Sequence, residues 1–171
     1  IQFNSASING GGLYVTGGNV NVSGGKIDEN TAGERGGGVY LAVGGSFTME
    51  GKDAVISNNN AENGGGIYLY TSPILQEGSI TENIATKNGG GMYIYDCLVE
   101  LSPKGDVYIT NNSAVDGAGI YIHEKTAADA TGGETVGETG GETGGETSGE
   151  TEADPDPDTT VSYDAISNAT P

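Results

Sequence analysis

Residues 56–69 read Ile56-Ser57-Asn58-Asn59-Asn60-Ala61-Glu62-Asn63-Gly64-Gly65-Gly66-Ile67-Tyr68-Leu69. Two patterns lie in this stretch: Ile-x-x-Asn-x-Ala, then Gly-Gly-Gly followed by an apolar residue, Tyr and another apolar residue. The second pattern starts at Gly10, Gly36, Gly64, Gly89 and Gly117, at intervals of 26, 28, 25 and 28 residues, with Ala118 in place of the middle Gly of the fifth copy. The first lies just upstream of each copy, anchored on Asn4, Asn30, Asn59, Asn83 and Asn112. A weaker apolar patch fills the rest of each period: Val20-Asn21-Val22, Phe47-Thr48-Met49, Ile74-Leu75 and Val99-Glu100-Leu101. Self-similarity held in register over residues 1–122 is the mark of a tandem repeat.

The period selects the architecture. Each apolar patch is short, often β-branched and mostly alternating, which reads as strand rather than helix. Three strands of about four to six residues plus turns fill one rung of a parallel β-solenoid. The expected fold is therefore all-β, a solenoid of about four to five rungs over residues 1–122. Equivalent residues should stack about 4.8 Å apart. The first and third positions of Leu13-Tyr14-Val15 and its copies then point inward, and the Tyr between them points out. The Gly triplet supplies backbone at positive φ and allows close approach of neighbouring rungs. Asn best tolerates the left-handed region among non-Gly residues, and stacked Asn side chains can form an amide ladder. Asn4, Asn30, Asn59, Asn83 and Asn112 are the expected ladder.

The composition divides at the end of the repeats. The whole chain carries 6 Lys+Arg against 24 Asp+Glu, a formal net charge of −18, and 32 Gly. Residues 1–122 hold 29 of the 32 Leu, Ile, Val and Phe residues, with 5 basic and 12 acidic side chains. Residues 123–171 hold three of those apolar residues and 12 acidic ones. There Gly-Glu-Thr recurs every four residues from Gly133 and gives way to Asp154-Pro155-Asp156-Pro157-Asp158. Such a segment cannot bury a core, so residues 123–160 are expected to be a disordered acidic spacer. Residues 161–171 read as unstructured or as the start of a truncated next domain.

Charge narrows the partners. A negative field without a Lys/Arg cluster excludes nucleic acid, and no apolar run approaches the roughly 20 residues of a membrane-spanning helix. The single Cys97 permits no internal disulfide. No cofactor or metal is expected, since the calcium-binding Gly-Gly-x-Gly-x-Asp nonapeptide is absent. The chain opens on Ile1 inside the first copy of the pattern, which reads as a fragment or excised domain.

Asn-x-Ala followed by Gly-Gly-[Gly/Ala]-[Ile/Val]-Tyr resembles the repeats of polymorphic outer-membrane proteins, which are autotransporter adhesins. It is similar also to the pectate-lyase-like β-helix repeats of large bacterial surface proteins. The resemblance covers residues 1–122. Ile-x-x-Asn here, where the outer-membrane group has Phe-x-x-Asn, favours the broader surface-protein class. The resemblance implies a right-handed parallel β-helix, in keeping with the general hand of parallel crossovers. It also implies a secreted or cell-surface bacterial location and an adhesin-like, non-enzymatic role, with a host or neighbouring-cell surface protein or glycan as partner.

The candidate ligand-binding residues are the outward row Tyr14, Tyr40, Tyr68, Tyr93 and Tyr121, widened by Tyr70 and Tyr95. Aromatic faces with hydroxyl edges suit sugar rings and protein hot spots alike. The competing reading is that stacked Tyr only stabilises adjacent strands, which makes the module a ligand-free stalk. A carbohydrate-active β-helix, lyase or hydrolase, is the other alternative. Its best carboxylate pair is Glu29 and Glu82, expected two rungs or about 9.6 Å apart, near the upper limit for an inverting glycosidase. The same alternation of acid and amide before the anchor Asn fits a ladder avoiding like-charge repulsion. No catalytic residue is assigned.

Overall fold

The computed structural model describes residues 1–97, 100–101 and 104–124. All of them belong to one unit, Ile1–Gly133. The expected spacer, apart from His123 and Glu124, and the segment 161–171 lie outside the described residues. Among the described residues there is no helix, and the strands form three sheets in which every pairing is parallel. This is a β-solenoid.

The five Gly-Gly-[Gly/Ala] copies feed a five-stranded sheet: Leu13–Val15, Val39–Leu41, Ile67–Leu69, Met92–Tyr95 and Ile120–His123. Its register pairs Tyr with Tyr on every rung. The last strand runs one residue past the expected end of the repeats. The Asn-x-Ala copies form a four-stranded corner sheet, Ser5–Ala6, Thr31–Ala32, Asn60–Asn63 and Ile84–Asn88. The third sheet joins the weak apolar patch to the Ile anchor, so that Gly45–Ser57 and Pro73–Thr81 each run as one strand. Glu50 pairs with Glu77 and Val55 with Ser79, so four residues of the earlier strand oppose Gly78 alone. Gln76, unmatched between the partners of Met49 and Glu50, offsets one of the three extra residues, so the bulged region is longer by two residues net and supplies part of the change from a period of 28 to one of 25.

Val39, Leu41, Phe47, Met49, Ile56, Ile67, Leu69, Leu75, Ile80, Met92 and Ile94 are almost wholly buried in one continuous core. Each fully buried side chain of this kind stabilises by about 1.5–3 kcal/mol. Ala32, Ala61 and Ala85 are buried at the corner, where a larger side chain would not fit the turn.

The anchor Asn does not occupy the left-handed turn position. That conformation falls one residue earlier, at Phe3, Glu29, Asn58, Glu82 and Asn111, with φ of 59°, 54°, 52°, 58° and 57°. The turn at that residue swings the following Asn side chain inward, where it is buried rather than strained. The Gly triplets divide their work similarly. The first Gly of each copy sits at φ between 57° and 67°. The second meets the next rung, as at Gly37, where a Cβ would lie 2.3 Å from the Gly65 carbonyl oxygen. The third packs on the Asn column, as at Gly66, where a Cβ would be 3.0 Å from the Asn83 amide.

Candidate functional site

The ladder is built from the corner outward. Each Asn accepts at Oδ1 from both the backbone N–H and the Nδ2 of the preceding rung's Asn. Asn4 donates to Asn30, Asn30 to Asn59, Asn59 to Asn83 and Asn83 to Asn112, at 2.9–3.0 Å. The second Nδ2 hydrogen of Asn59 goes to the Ile27 carbonyl at 2.9 Å, and that of Asn83 to the Ile56 carbonyl at 2.9 Å. Asn30, Asn59 and Asn83 are fully buried with every amide position used. This column is structural, because no polar atom of its inner members is left for a ligand.

The tyrosines occupy the opposite side of the five-stranded sheet from the core and form a cluster of their own. The inner row, Tyr14, Tyr40, Tyr68, Tyr93 and Tyr121, has successive ring centroids 5.0, 5.7, 4.5 and 5.0 Å apart. On the last three rungs an outer row lies two residues further along the chain, where Thr16 and Ala42 stand on the first two. Tyr70 and Tyr95 are 5.0 Å apart, and Tyr95 and His123 are 4.9 Å apart. Tyr70 tilts 55° to Tyr68 and stands edge-on to Tyr40 at 76°.

The inner row points away from the core, yet most of it is covered. Tyr40, Tyr68 and Tyr93 are only 7%, 3% and 8% exposed, against 53% for Tyr14. Rung spacing brings the rings into stacking contact, so each covers its neighbour's face, and the outer row covers their flank. Burial pushes the Tyr40 hydroxyl up to about 12. Burial likewise raises Tyr68 and Tyr93 well above the ordinary tyrosine range, with the hydrogen bond to Tyr70 adding to the effect at Tyr68. Tyr70, Tyr95 and Tyr121 are half-buried.

Two members of this face, the only Arg and the only His of the chain, are not among the expected binding residues. Arg35 places its guanidinium carbon 5.6 Å from the Tyr68 ring centroid. His123 follows Tyr121 by the same two residues that separate Tyr70 from Tyr68 and Tyr95 from Tyr93, and this spacing was the available signal.

The candidate carboxylates stand two rungs apart. Glu29 and Glu82 are exposed corner residues, with Asn58 between them in the stack. Their neighbour Asp28 is buried, accepting from Ser57 Oγ at 2.6 Å, Asn58 Nδ2 at 3.0 Å and Gln2 Nε2 at 3.0 Å. These hydrogen bonds, led by that of Ser57, hold its carboxyl below the usual value. Among the described residues no group of three or more His, Cys, Asp and Glu side chains could hold a metal ion. Cys97 is half-buried, and burial together with Asp96 raises its thiol.

Residues 1–133 match the family described as the right handed beta helix region. No curated protein and no solved structure matches the chain.

Proposed function

We propose, from the premise that this chain belongs to the right-handed β-helix family, that it is a non-enzymatic binding module of a secreted or cell-surface bacterial protein. Its contact surface is the aromatic face, and its partner is a protein or glycan on a host or neighbouring cell. The observation that carries this reading is the two-row aromatic cluster, separate from the core and built on the outer side of one sheet. A core fold needs no second layer of rings there. Aromatic residues of this kind concentrate where proteins meet partners.

The test is binding of the full chain to a glycan array and to intact host and bacterial cells, with a turnover screen on polyuronides alongside. Tyr70→Ser with Tyr95→Ser is expected to abolish binding while the folded signal persists. Turnover of a polyuronide, or binding indifferent to both substitutions, would overturn the proposal. A ligand-free stalk is the second reading, favoured by the burial of Tyr40, Tyr68 and Tyr93. It requires that the double variant melt earlier and that no ligand of any class bind.

A further inference from the structure

The first and last rungs differ from those between them. Two residues before each Gly triplet, the three inner rungs carry charge, as Glu34, Glu62 and Lys87, whereas the two end rungs carry Ile8 and Val115. These five positions form one stack, because the residues after them, Asn9, Arg35, Asn63, Asn88 and Asp116, are bridged rung to rung. Ile8 is 54% exposed and Val115 76%. The left-handed corner shows the same contrast on the first rung, where Phe3 is 72% exposed and the other rungs have Glu29, Asn58, Glu82 and Asn111. Among the described residues just two exposed large apolar side chains, Val43 and Ile84, lie on inner rungs. Single apolar residues on a surface are ordinary, but their concentration on two opposite ends marks contact surfaces.

The Asn ladder gives those ends a polarity. Each Asn donates forward to the Asn of the following rung. Asn112 accepts from Asn83 and donates one Nδ2 hydrogen to the Ile80 carbonyl. Its backbone N–H and its second Nδ2 hydrogen have no acceptor among the described residues. Asn4 donates to Asn30 and to the Gln2 carbonyl, and its Oδ1 takes no donor among the described residues. The column therefore ends in an open acceptor on the first rung and open donors on the last. Among the described residues the edge strands Leu13–Val15 and Ile120–His123 also pair on one side only.

We infer that the solenoid stacks end to end on a second copy of this chain, the last rung of one copy meeting the first rung of the next. Asn112 then donates to the partner's Asn4, Val115 packs on the partner's Ile8, and Ile120 and Ile122 continue into the partner's Leu13 and Val15. Two first rungs would set acceptor against acceptor, and two last rungs donor against donor. The contact is therefore heterologous, and one that does not close on itself grows into an open row of copies. The formal net charge of −18 opposes it. Salt screens that repulsion, so the association strengthens as ionic strength rises.

The experiment is sedimentation velocity of the full chain across a wide concentration range at low and high sodium chloride. The average mass is expected to climb past that of a dimer, more steeply at high salt. Ile8→Lys closes the first rung and Val115→Lys the last. Lys87 natively occupies the same stack, so the fold accepts the side chain, and circular dichroism checks it. Each variant alone is expected to associate at least tenfold more weakly than the parent. An equal mixture of the two keeps one intact junction and is expected to stop at a dimer of the parent's strength. A parent chain that stays monomeric at every concentration and salt, or a single variant that associates as the parent does, would overturn the inference. A mixture that recovers no dimer would overturn it as well.

Discussion

The side chain of Asn59 donates to the amide oxygen of Asn83 at 2.9 Å on one side and to the carbonyl of Ile27 at 2.9 Å on the other. One buried amide thus ties three rungs together. It also accepts twice from Asn30, at 3.0 Å each. The same arrangement recurs at each inner rung, which makes the Asn column a continuous polar seam inside an apolar corner.

Asn59→Ala should therefore remove about 3–5 kcal/mol from the unfolding free energy. It strands the backbone and side-chain donors of Asn30 and removes the side-chain bond to the Ile27 carbonyl, while the Asn83 oxygen keeps the backbone N–H of residue 59; each buried orphan costs about 1–3 kcal/mol. Asn4→Ala, at an exposed end of the same column, should lose only about 0.5–1.5 kcal/mol. Urea unfolding of the two variants checks the contrast; equal losses would mean that the column is not a seam.

Glycines of one sequence type should respond oppositely. A Cβ on Gly65 would lie 2.3 Å from the Ile84 carbonyl oxygen, whereas one on Gly24 would meet nothing within 4 Å. Gly65→Ala is expected to destabilise by about 3 kcal/mol through backbone displacement. Gly24→Ala should stabilise by about 0.4–1 kcal/mol by restricting the unfolded chain. Thermal denaturation separates the two.

Glu82 stands at φ 58° and is exposed. A left-handed residue with a long side chain costs roughly 1–2 kcal/mol, and Asn tolerates the region better. Glu82→Asn, which copies the native Asn58 and Asn111 on neighbouring rungs, should raise the melting temperature. A lower melting temperature would show that the Glu82 side chain makes a contribution larger than the strain.

Alkaline titration should be biphasic. Tyr40 has its folded value raised to about 12 from the ordinary 10.0, so its contribution is complete below pH 10 and is lost as pH rises toward 12. Ultraviolet difference absorbance at the phenolate band should show the buried inner row ionising only on alkaline unfolding. A single transition near pH 10 for all tyrosines would contradict the burial.

Asp28 gives the opposite sign. Its folded value lies below the model-compound value of 3.8, so its stabilisation is present above that pH and is lost as pH falls through the lower folded value. Asp28→Asn should reduce the acid sensitivity of unfolding below about pH 4. An unchanged acid limb would mean that the Ser57 and Asn58 bonds do not favour the charged form.

Much of this was legible in the residues. The inward positions around Tyr14 and its copies, the Gly triplets and the Asn anchors depend on local chemistry and on a repeat that places like on like. The left-handed position was not legible as such, because Phe3, Glu29, Asn58, Glu82 and Asn111 share no residue type. Arg35 breaks its column, where Asn9, Asn63, Asn88 and Asp116 stand in the other rungs, so no periodic signal marked it. Asp28 looked like a turn acid because its partners Ser57, Asn58 and Gln2 come from neighbouring rungs.

The sequence by itself determined the rung, since period, alternation and Gly placement leave one way for such segments to bury an apolar face. It also determined which residues stack, because a solenoid repeats its own pairing. Only the tertiary structure decided what the stacks expose. Tyr68 points away from the core and is still 3% exposed, because its covering comes from Tyr40 and Tyr93 on neighbouring strands and from Tyr70 two residues on. Strand periodicity assigns a side of the sheet, whereas exposure depends on how closely the neighbouring rungs bring their rings.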